Sequence, residues 1–325
     1  MIEKIAKILE ERDNFLITSH IHPDGDSIGC QIALYLFLSQ RGKRVVIINE
    51  ESPPENMLFL PYLDKIFSPK KEIKSDITIV LDTNDITRLG KKMVPFVKRI
   101  PFVINIDHHL GGGIGNLNWI DEKASSVCEM IHRLIKTMGG KQSAISKEIA
   151  ILLYVGIATD TGFFSFANTS PKCMEVAGSL LEYEIFPDKI KEFLYNTKSL
   201  NEIKFFGRHL SDIEEDGPIV WTKITKEAID ELGKEPETDT ILDTMRWIKN
   251  AYIMVLFREL AKERTKVSLR SKRGLDVRSI AEEFGGGGHL QASGCIIPVS
   301  LEVAERHVLS AIKNYLTEKG KLWYK

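Results

Sequence analysis

Histidine and aspartate side chains crowd into one short segment near the start of the chain. His20, Asp24 and Asp26 lie in the sequence HIHPDGD, directly after an apolar stretch. Pro23 and Gly25 favour a tight turn there, so the imidazole and the two carboxylates can converge on one point. Carboxylates held close together repel each other unless a cation lies between them. Because mixed nitrogen and oxygen ligands suit a divalent first-row ion such as Mn²⁺, this segment predicts a metal site.

The same arrangement, an apolar segment followed by Asp or His, recurs downstream. Three more apolar segments, residues 77–81, 102–106 and 151–158, each lead into such residues. The residues that follow them are Asp82, Asp107, His108, His109 and Asp160. In open α/β sheets, ligand sites lie at the carboxyl ends of strands or just beyond a packed helix. We therefore expect the four segments to deliver their side chains to one site.

The composition is that of an ordinary globular protein without a strong overall charge. Of the 325 residues, 43% are hydrophobic and 27% are charged, and the formal net charge is -1. This length allows two domains, each with its own core. Because the net charge is close to zero, no global field attracts nucleic acid, and any site for a polyanion must be local.

The cysteines and the apolar runs bear on the cellular compartment. Cys30, Cys128, Cys173 and Cys295 form no CxxC pair, and we interpret them as reduced core residues of a cytoplasmic protein. The N-terminal segment mixes charged and apolar residues at helical spacing and lacks the apolar run of a signal peptide. The longest apolar run, residues 150–158, is far shorter than a bilayer span, so we expect no membrane association.

The first half of the chain alternates between predicted helices and strands. Residues 27–39 are an apolar helix, and residues 44–49 form a strand. The sequence SVCE at 126–129 is a capping-box pattern that opens a helix ending at Gly139-Gly140. Such alternation predicts an α/β fold with a mostly parallel sheet flanked by helices.

The second half has a different order of elements. Strands are predicted at 218–225, 251–260 and 265–271, and helices at 238–249, 276–284 and 301–316. This order predicts a smaller mixed α/β domain. We place the two domains at residues 1–190 and 213–325, joined by a connector at 191–212, with the active site in the cleft between them.

The order of these motifs resembles the DHH phosphoesterases, which share HxxxDGD, D, DHH and D. In this chain the four motifs begin at His20, Asp82, Asp107 and Asp160. A second segment, GGGGHLQASG at 285–294, resembles the signature of the DHH-associated C-terminal domain. The two matches lie in separate halves, so the resemblance spans nearly the whole chain. The family includes RecJ-like exonucleases, manganese-dependent pyrophosphatases, and phosphodiesterases that act on nanoRNA and cyclic dinucleotides.

The resemblance implies two divalent metal ions, with Mn²⁺ preferred, and a ligand set for each. One ion would be held by His20, Asp24 and Asp82, and the other by Asp26, Asp82, His108 and Asp160. Asp82 is then the bridging carboxylate. Two ions bridged in this way can lower the pKa of a water molecule and clamp a phosphoryl group for in-line attack.

The tandem imidazoles need separate roles because neighbouring side chains point in different directions. His108 matches the metal ligand of the family. His109 then faces the substrate, where it can hydrogen-bond a phosphate oxygen or protonate the leaving group. We expect Asp107 to orient one of the two imidazoles.

A phosphate-binding surface is expected in the second domain. The glycine run, which includes Gly286, Gly287 and Gly288, permits close approach of a ligand and offers free amides to a phosphate, and His289 follows directly in the family pattern. Most of the basic residues between 262 and 273 are interpreted as solvated charges. Arg270 is the exception, since it lies inside a predicted strand and Arg suits bidentate phosphate binding. The four tryptophans are too scattered to indicate a base-stacking platform.

The resemblance implies a metal-dependent phosphodiesterase or phosphatase acting on very short oligonucleotides of RNA or DNA or on small nucleotides. The resemblance is strongest to enzymes of nanoRNA, linear pApA, cyclic di-AMP and 3'-phosphoadenosine 5'-phosphate. The alternatives are a single-strand exonuclease of the RecJ type and a non-catalytic nucleotide-binding regulator. Whether the protein forms a homodimer is left open.

Overall fold

The computed structural model describes residues 1–69, 75–139 and 145–319. Contacts between residues divide the chain into two compact units, Met1–Thr197 and Lys198–Lys325. The predicted connector, 191–212, includes the end of one helix and the whole of the next, and its extent stays a prediction. The predicted helix end at Gly140 lies outside the described residues.

The first unit contains a six-stranded sheet in which every pair of neighbouring strands is parallel. Its strands are β1 (Asn14–Thr18), β2 (Arg44–Ile48), β3 (Ile66–Phe67), β4 (Ile77–Leu81), β5 (Phe102–Asp107) and β6 (Leu117–Ile120). Their order across the sheet is β3-β2-β1-β4-β5-β6. The predicted parallel sheet is therefore confirmed.

Helices cover both faces of this sheet, since its strands are apolar on both sides. They are α1 (Ile2–Glu11), α2 (Gly25–Gln40), α3 (Val94–Arg99), α4 (Val127–Gly139), α5 (Lys147–Asp160), α6 (Pro171–Leu181) and α7 (Pro187–Tyr195). In β1, Phe15 and Ile17 join the large core that contains α2, α4 and α5. Leu16 points to the other face, where it packs in a smaller cluster with Leu89 and Met93.

Two apolar helices, α2 and α5, lie inside this large core. Most residues around each are buried, which is what an apolar sequence without a polar face requires. The apolar segment 151–158 is thus the middle of helix α5, and it brings Asp160 to the helix end. Helix α2 starts two residues earlier than predicted because Asp24 caps it, accepting the N–H of Ser27 while Ser27 Oγ accepts the N–H of Asp24.

The capping pattern at the start of α4 forms only in part. Ser126 Oγ accepts the N–H of Glu129, as the pattern requires. The Glu129 carboxylate, however, accepts hydrogen bonds from the N–H and the hydroxyl of Ser125 instead of from Ser126. The helix start is therefore stabilised from one residue further upstream than the sequence predicts.

The second unit contains a mixed sheet in the order β11-β12-β10-β9-β8-β7. Its strands are β7 (Glu214–Asp216), β8 (Ile219–Ile224), β9 (Ile253–Ala261), β10 (Arg264–Ser271), β11 (Gly287–His289) and β12 (Ala292–Ile297). Only the β8–β9 pair is parallel among these described strands. The predicted smaller mixed domain is confirmed.

Each face of the second sheet has its own cluster of helices. The helices of this unit are α8 (Leu200–Ser211), α9 (Lys226–Leu232), α10 (Thr238–Met245), α11 (Val277–Glu283) and α12 (Leu301–Lys319). Residues of α11 and α12 pack on the face that contains Val255 and Val267. Residues of α8, α9 and α10 pack on the face that contains Met254 and Leu256. Within the described residues, no helix of either unit is long and apolar enough to cross a membrane.

Candidate metal centre

The predicted metal ligands lie at the position where the strand order of the first sheet reverses. Strands β1 and β4 are neighbours, and the strands that follow each of them in the chain lie on opposite sides. This switch point leaves a crevice beyond the carboxyl ends of the two strands, where α/β sheets bind ligands. His20 lies just after β1, Asp82 directly follows β4, and Asp107 ends β5.

The carboxylate of Asp82 occupies the middle of the cluster. Its Oδ2 lies 3.1 Å from Nε2 of His20, and its Oδ1 lies 3.6 Å from Nε2 of His108. Asp82 is 1% exposed, and its backbone has a left-handed φ of 61° that is uncommon for a residue with a side chain. Its N–H donates to the carbonyl of Ile106, which holds it in this strained conformation. One carboxylate therefore faces two imidazoles through different oxygens.

Two groups of side chains meet around this carboxylate with the geometry of metal ligands. In each group the nitrogen and oxygen donors lie within 4.8 Å of one another. The first group is His20, Asp24 and Asp82, and the second is Asp26, His108 and Asp160. Within them, Nε2 of His20 is 3.9 Å from Oδ2 of Asp24, and Nε2 of His108 is 3.2 Å from Oδ2 of Asp160. The structure thus brings together all six residues predicted as ligands.

Backbone carbonyls contact Nδ1 of His20 and of His108, so that Nε2 of each ring faces the cluster. Nδ1 of His20 lies 2.7 Å from the carbonyl of Ile21, and Nδ1 of His108 lies 3.4 Å from the carbonyl of Ala124. Because a carbonyl can only accept, Nδ1 is the donor in each of these contacts. Each Nε2 faces the carboxylates of the cluster, and that of His20 lies 3.1 Å from Oδ2 of Asp82. Nε2 of His108 and Oδ1 of Asp82 are buried and have no hydrogen-bond partner among the described residues.

Asp26 is anchored by backbone groups more than 100 residues away in sequence. Its Oδ2 accepts the N–H of Val127 at 2.6 Å, and its Oδ1 accepts the N–H of Cys128 at 2.7 Å. These are free donors in the first turn of α4, where a carboxylate is also favoured by the helix dipole. A side chain at Gly25 would collide with Thr159 of α5. Gly25 is therefore required for close helix packing, whereas the sequence had suggested a role in turn formation.

Burial and mutual repulsion make this group of carboxylates unfavourable without positive charge. Burial raises the pKa of Asp26 and of Asp82, and it raises the pKa of Asp160 to about 9. The charges of neighbouring aspartates add to the rise in each case. A divalent cation removes this penalty, since it favours the ionised form of every carboxylate around it. The donor set, its orphaned atoms and its electrostatics therefore fit bound metal ions.

Asp107 and His109 form a hydrogen-bonded pair beside the cluster. Nδ1 of His109 donates to Oδ1 of Asp107 at 2.8 Å, and the same oxygen accepts the N–H of His108 at 2.8 Å. The hydrogen bond to Asp107 raises the pKa of His109. Burial by itself would raise the pKa of Asp107, but the hydrogen bond and charge of His109 lower it. Together with Asp82 and His108 these residues also satisfy the distances of a metal-binding group.

Two asparagines position this site and were not identified from the sequence. Nδ2 of Asn84 donates to the carbonyls of His109 and Leu110, and so fixes the backbone of the DHH loop. Nδ2 of Asn105, which is fully buried in β5, donates to the carbonyl of Thr83 at 2.9 Å. The position of these asparagines in the sequence could have identified them, because a polar amide inside or just after a buried strand must find hydrogen-bond partners nearby.

In the second unit, two of the predicted substrate residues lie in one row of the sheet. Arg270 of β10 is opposite Ala292 of β12, and Ala292 is opposite His289 of β11. Residues opposite one another in antiparallel strands have side chains on the same face. The guanidinium of Arg270 donates through Nη2 to Oδ1 of Asp239 at 2.6 Å. Arg270 is therefore held in place by an acidic partner that the sequence did not indicate.

The glycine run is more ordered than a loop with free amides. The N–H of Gly285 donates to the carbonyl of Glu282, and the N–H of Gly286 donates to the carbonyl of Ala281. Residues Gly287–His289 form strand β11, which pairs with β12. A Cβ at Gly286 would collide with the carbonyl of Gly294, whereas one at Gly287 would meet nothing within 4 Å. The expectation of a run of free amides is thus wrong for Gly285 and Gly286, because they close the preceding helix.

Two family domains match separate parts of the chain. Residues 14–157 match the DHH family, N-terminal domain, and residues 223–318 match the DHHA1 domain. The first match covers all the predicted metal ligands except Asp160, which lies three residues beyond its end. The second covers Arg270, the glycine run and His289.

Similar proteins match over nearly the whole chain. The bifunctional oligoribonuclease and PAP phosphatase NrnA of Thermus thermophilus is 31% identical over 324 residues, which is 98% of this chain and 95% of that protein. The Bacillus subtilis protein of the same name is 30% identical over 304 residues, 91% of this chain and 93% of that protein. The crystal structure of an exopolyphosphatase-related protein from Bacteroides fragilis has a TM-score of 0.87 and 29% identity, and the match covers 98% of this chain and 95% of that one.

Proposed function

This chain belongs to the DHH family of phosphoesterases, and we propose that it is a two-metal hydrolase of very short oligonucleotides or small nucleotides. Its substrates are taken from nanoRNA, linear pApA, cyclic di-AMP and 3'-phosphoadenosine 5'-phosphate. The observation that carries the proposal is the position of Asp82, whose two oxygens face the imidazoles of His20 and His108. Such a carboxylate is suited to bridging two cations.

The ligand assignment follows the two groups of donors. His20, Asp24 and Asp82 are assigned to one ion, and Asp26, Asp82, His108 and Asp160 to the other. When bound, the ions supply an activated water and stabilise charge on the phosphoryl oxygens. Imidazoles among the carboxylates favour Mn²⁺ over Mg²⁺, because Mg²⁺ prefers oxygen ligands and retains its waters.

His109 is assigned the proton transfer to the leaving group. Its Nδ1 is occupied by Asp107, so the proton available to a substrate is on Nε2. The hydrogen bond to Asp107 raises the pKa of His109, which favours the protonated form that a general acid requires. Asp107 is fully buried and acts through His109 by fixing the orientation of its ring.

Arg270 and His289 are assigned to a terminal phosphate or the adjacent nucleotide. The two residues flank Ala292 on one face of the sheet, so a single anionic group can lie across the row. Gly287 and Gly288 are assigned to the same ligand, because the exposed strand β11 brings their backbone to the edge of the sheet. The proposal places the protein in the cytoplasm, which the four buried free cysteines support.

A substrate panel on purified full-length protein tests this function. The protein is stripped with a chelator, and Mn²⁺ or Mg²⁺ is then added to matched free concentrations. We expect turnover of dinucleotides or 3'-phosphoadenosine 5'-phosphate with Mn²⁺ and little recovery with Mg²⁺. Faster, processive degradation of a long single strand would favour the RecJ-type exonuclease, and nucleotide binding without turnover would favour a regulator.

A further inference from the structure

A cluster of basic and aromatic side chains lies next to Arg270 in the second unit and is not used by the proposed chemistry. Trp247 is 82% exposed in the turn that follows α10. An exposed indole ring is available to stack on an aromatic ligand. The cations of the cluster are Arg246, Lys249, Lys272 and Arg273. We refer to these five residues and Tyr252 as the Trp247 patch.

Hydrogen bonds and ring contacts join the two segments of the Trp247 patch. The N–H of Lys272 donates to the carbonyl of Tyr252 at 2.9 Å, and its Nζ donates to the carbonyl of Ile248 at 2.7 Å. The guanidinium of Arg273 lies 4.7 Å from the centre of the Tyr252 ring. The turn after β10 is therefore fixed against the segment that contains Trp247.

The positive charge of the Trp247 patch is poorly neutralised. The carboxylate nearest to Arg246 is that of Asp243, at 4.0 Å, and this pair is exposed. Among the described residues, Arg273 and Lys249 have no ion pair with a carboxylate. Burial lowers the pKa of Lys272, and the charges of Arg246 and Arg273 lower it further. Uncompensated cations beside an exposed ring favour an anionic ligand with an aromatic part.

The Trp247 patch is continuous with the proposed substrate surface at both of its ends. Lys272 follows Arg270 by two residues and comes directly after the end of β10. Arg270 pairs with Asp239, which lies in the first turn of α10, and Trp247 comes after the last turn of the same helix. Eight residues of helix span about 12 Å, at about 1.5 Å per residue. That distance corresponds to about three or four stacked nucleotides, at about 3.4 Å each.

We propose that the Trp247 patch binds the flanking nucleotides of a short single-stranded substrate, with Trp247 stacking on a base and the cations contacting phosphates. This inference rests on the proposed function, because Arg270 provides the adjoining position for the reacting end. The patch is short, so binding gains from added nucleotides stop at about five. It therefore extends the preference of the protein from dinucleotides to slightly longer oligonucleotides without providing a track for long strands.

Equilibrium binding to the chelator-treated full chain tests the proposal without hydrolysis. The probes are pApA, a five-nucleotide oligoadenylate and inorganic pentaphosphate, measured by fluorescence anisotropy competition. We expect the pentanucleotide to bind more tightly than pApA, and Trp247→Ala to weaken it at least about fivefold while leaving pApA within twofold. Trp247→Phe should retain most of the difference in affinity between the pentanucleotide and pApA, since it keeps an aromatic ring.

The cations are tested through the salt dependence of pentanucleotide binding. Arg273→Ala and Lys249→Ala should each reduce the slope of log affinity against log salt by about 0.7 for a lost phosphate contact. The matched control is Arg306→Ala, an exposed cation of α12, the helix on the opposite face of the sheet. It should leave affinity and slope unchanged.

Three outcomes would overturn the proposal. They are equal affinity of the wild-type chain for pApA and the pentanucleotide, an unchanged pentanucleotide affinity in Trp247→Ala, and pentaphosphate competing as strongly as the pentanucleotide. These results are independent of the proposed function, whose failure would be an absence of turnover of pApA by the Mn²⁺-restored wild-type protein.

Discussion

Oδ1 of the fully buried Asp107 accepts a hydrogen bond from Nδ1 of the half-exposed His109 at 2.8 Å. The pair is asymmetric, since one ring nitrogen is fixed inside the protein and Nε2 is left to the solvent side. The same carboxylate oxygen also accepts the N–H of His108, so its position is set by the backbone. An imidazole held in this way is oriented before a substrate arrives, which suits it to proton donation.

Replacement of His109 by Gln should therefore lower turnover by about 10²–10⁴-fold for a dinucleotide, the usual contribution of a general acid. A phosphodiester with a p-nitrophenyl leaving group needs little protonation, so the same variant should lose much less of its rate on that substrate. Asp107→Asn keeps the imidazole and should give a smaller loss on the dinucleotide. Equal losses of His109→Gln on both substrates would contradict the assignment to leaving-group protonation.

The proposed bridging position of Asp82 gives a second prediction. Asp82→Asn should reduce turnover by several orders of magnitude, because the activation of water and the charge stabilisation both depend on this carboxylate. In chelator the variant should unfold at the same temperature as the wild type or higher, since burial and neighbouring aspartates disfavour the charge of Asp82. Asp85→Asn, three residues further on and outside the cluster, is the matched control and should retain activity. Near-normal turnover of Asp82→Asn at saturating Mn²⁺ would exclude the bridging role.

The convergence of the candidate metal ligands was predictable from sequence because these side chains follow short, continuous apolar segments. Parallel strands buried on both faces read as such segments, and their carboxyl ends meet at one edge of the sheet. Asp82 and Asp107 could therefore be placed without knowledge of the strand order. Asp160 was found by the same pattern, although its apolar segment is the buried helix α5.

The supporting contacts were not predictable because they join residues distant in sequence. Asp26 depends on the amides of Val127 and Cys128, and only the packing of α2 against α4 brings them together. The ion pair between Arg270 and Asp239 likewise depends on where α10 lies on the sheet. Strand β11 was missed because glycine disfavours strands, and only pairing with β12 overrides that preference.

His132 should make stability depend on pH. Burial, with a smaller effect of Lys136 and Lys172, lowers its pKa from 6.5 to about 4. The unfolded chain therefore takes up this proton near pH 6.5, while the folded chain takes it up only near pH 4, so acidification through that window favours unfolding. The effect amounts to about 3 kcal/mol at most. Chemical unfolding is measured between pH 7 and pH 4 in the presence of chelator. Over this range His132→Gln should lose less of its free energy of unfolding than the wild type does, whereas the exposed His307→Gln should lose as much as the wild type.

Two neighbouring glycines separate the folding role of the glycine run from its binding role. A Cβ at Gly288 would lie 2.6 Å from the carbonyl oxygen of Ala292, and its φ of 140° is unfavourable for any side chain. Gly288→Ala should thus lower the free energy of unfolding by about 1–3 kcal/mol. Gly287→Ala meets no such contact, so its stability should change by less than about 0.5 kcal/mol while substrate binding weakens. If Gly287→Ala binds pApA as tightly as wild type does, the run has a structural role alone.

Arg270 should set the affinity for a terminal phosphate and thereby the preferred substrate length. Arg270→Ala removes a charged hydrogen-bond donor and should weaken pApA binding by about 1.5–3 kcal/mol. The matched variant Asp239→Asn removes the partner of Arg270 but keeps the guanidinium, so its pApA affinity should not fall. Both substitutions break the same exposed ion pair, and the comparison therefore cancels any small effect of that pair on stability.

The length preference itself is measured with a 5'-labelled dinucleotide and a 5'-labelled long strand in one reaction. We expect the dinucleotide to be consumed first, because the proposed binding of a terminal phosphate by Arg270 favours a substrate that brings a strand end to this residue. Arg270→Ala should reduce this preference chiefly by slowing the dinucleotide. Faster consumption of the long strand by the wild-type protein, with the shortened products of successive cleavage, would instead assign the chain to the exonuclease branch of the family.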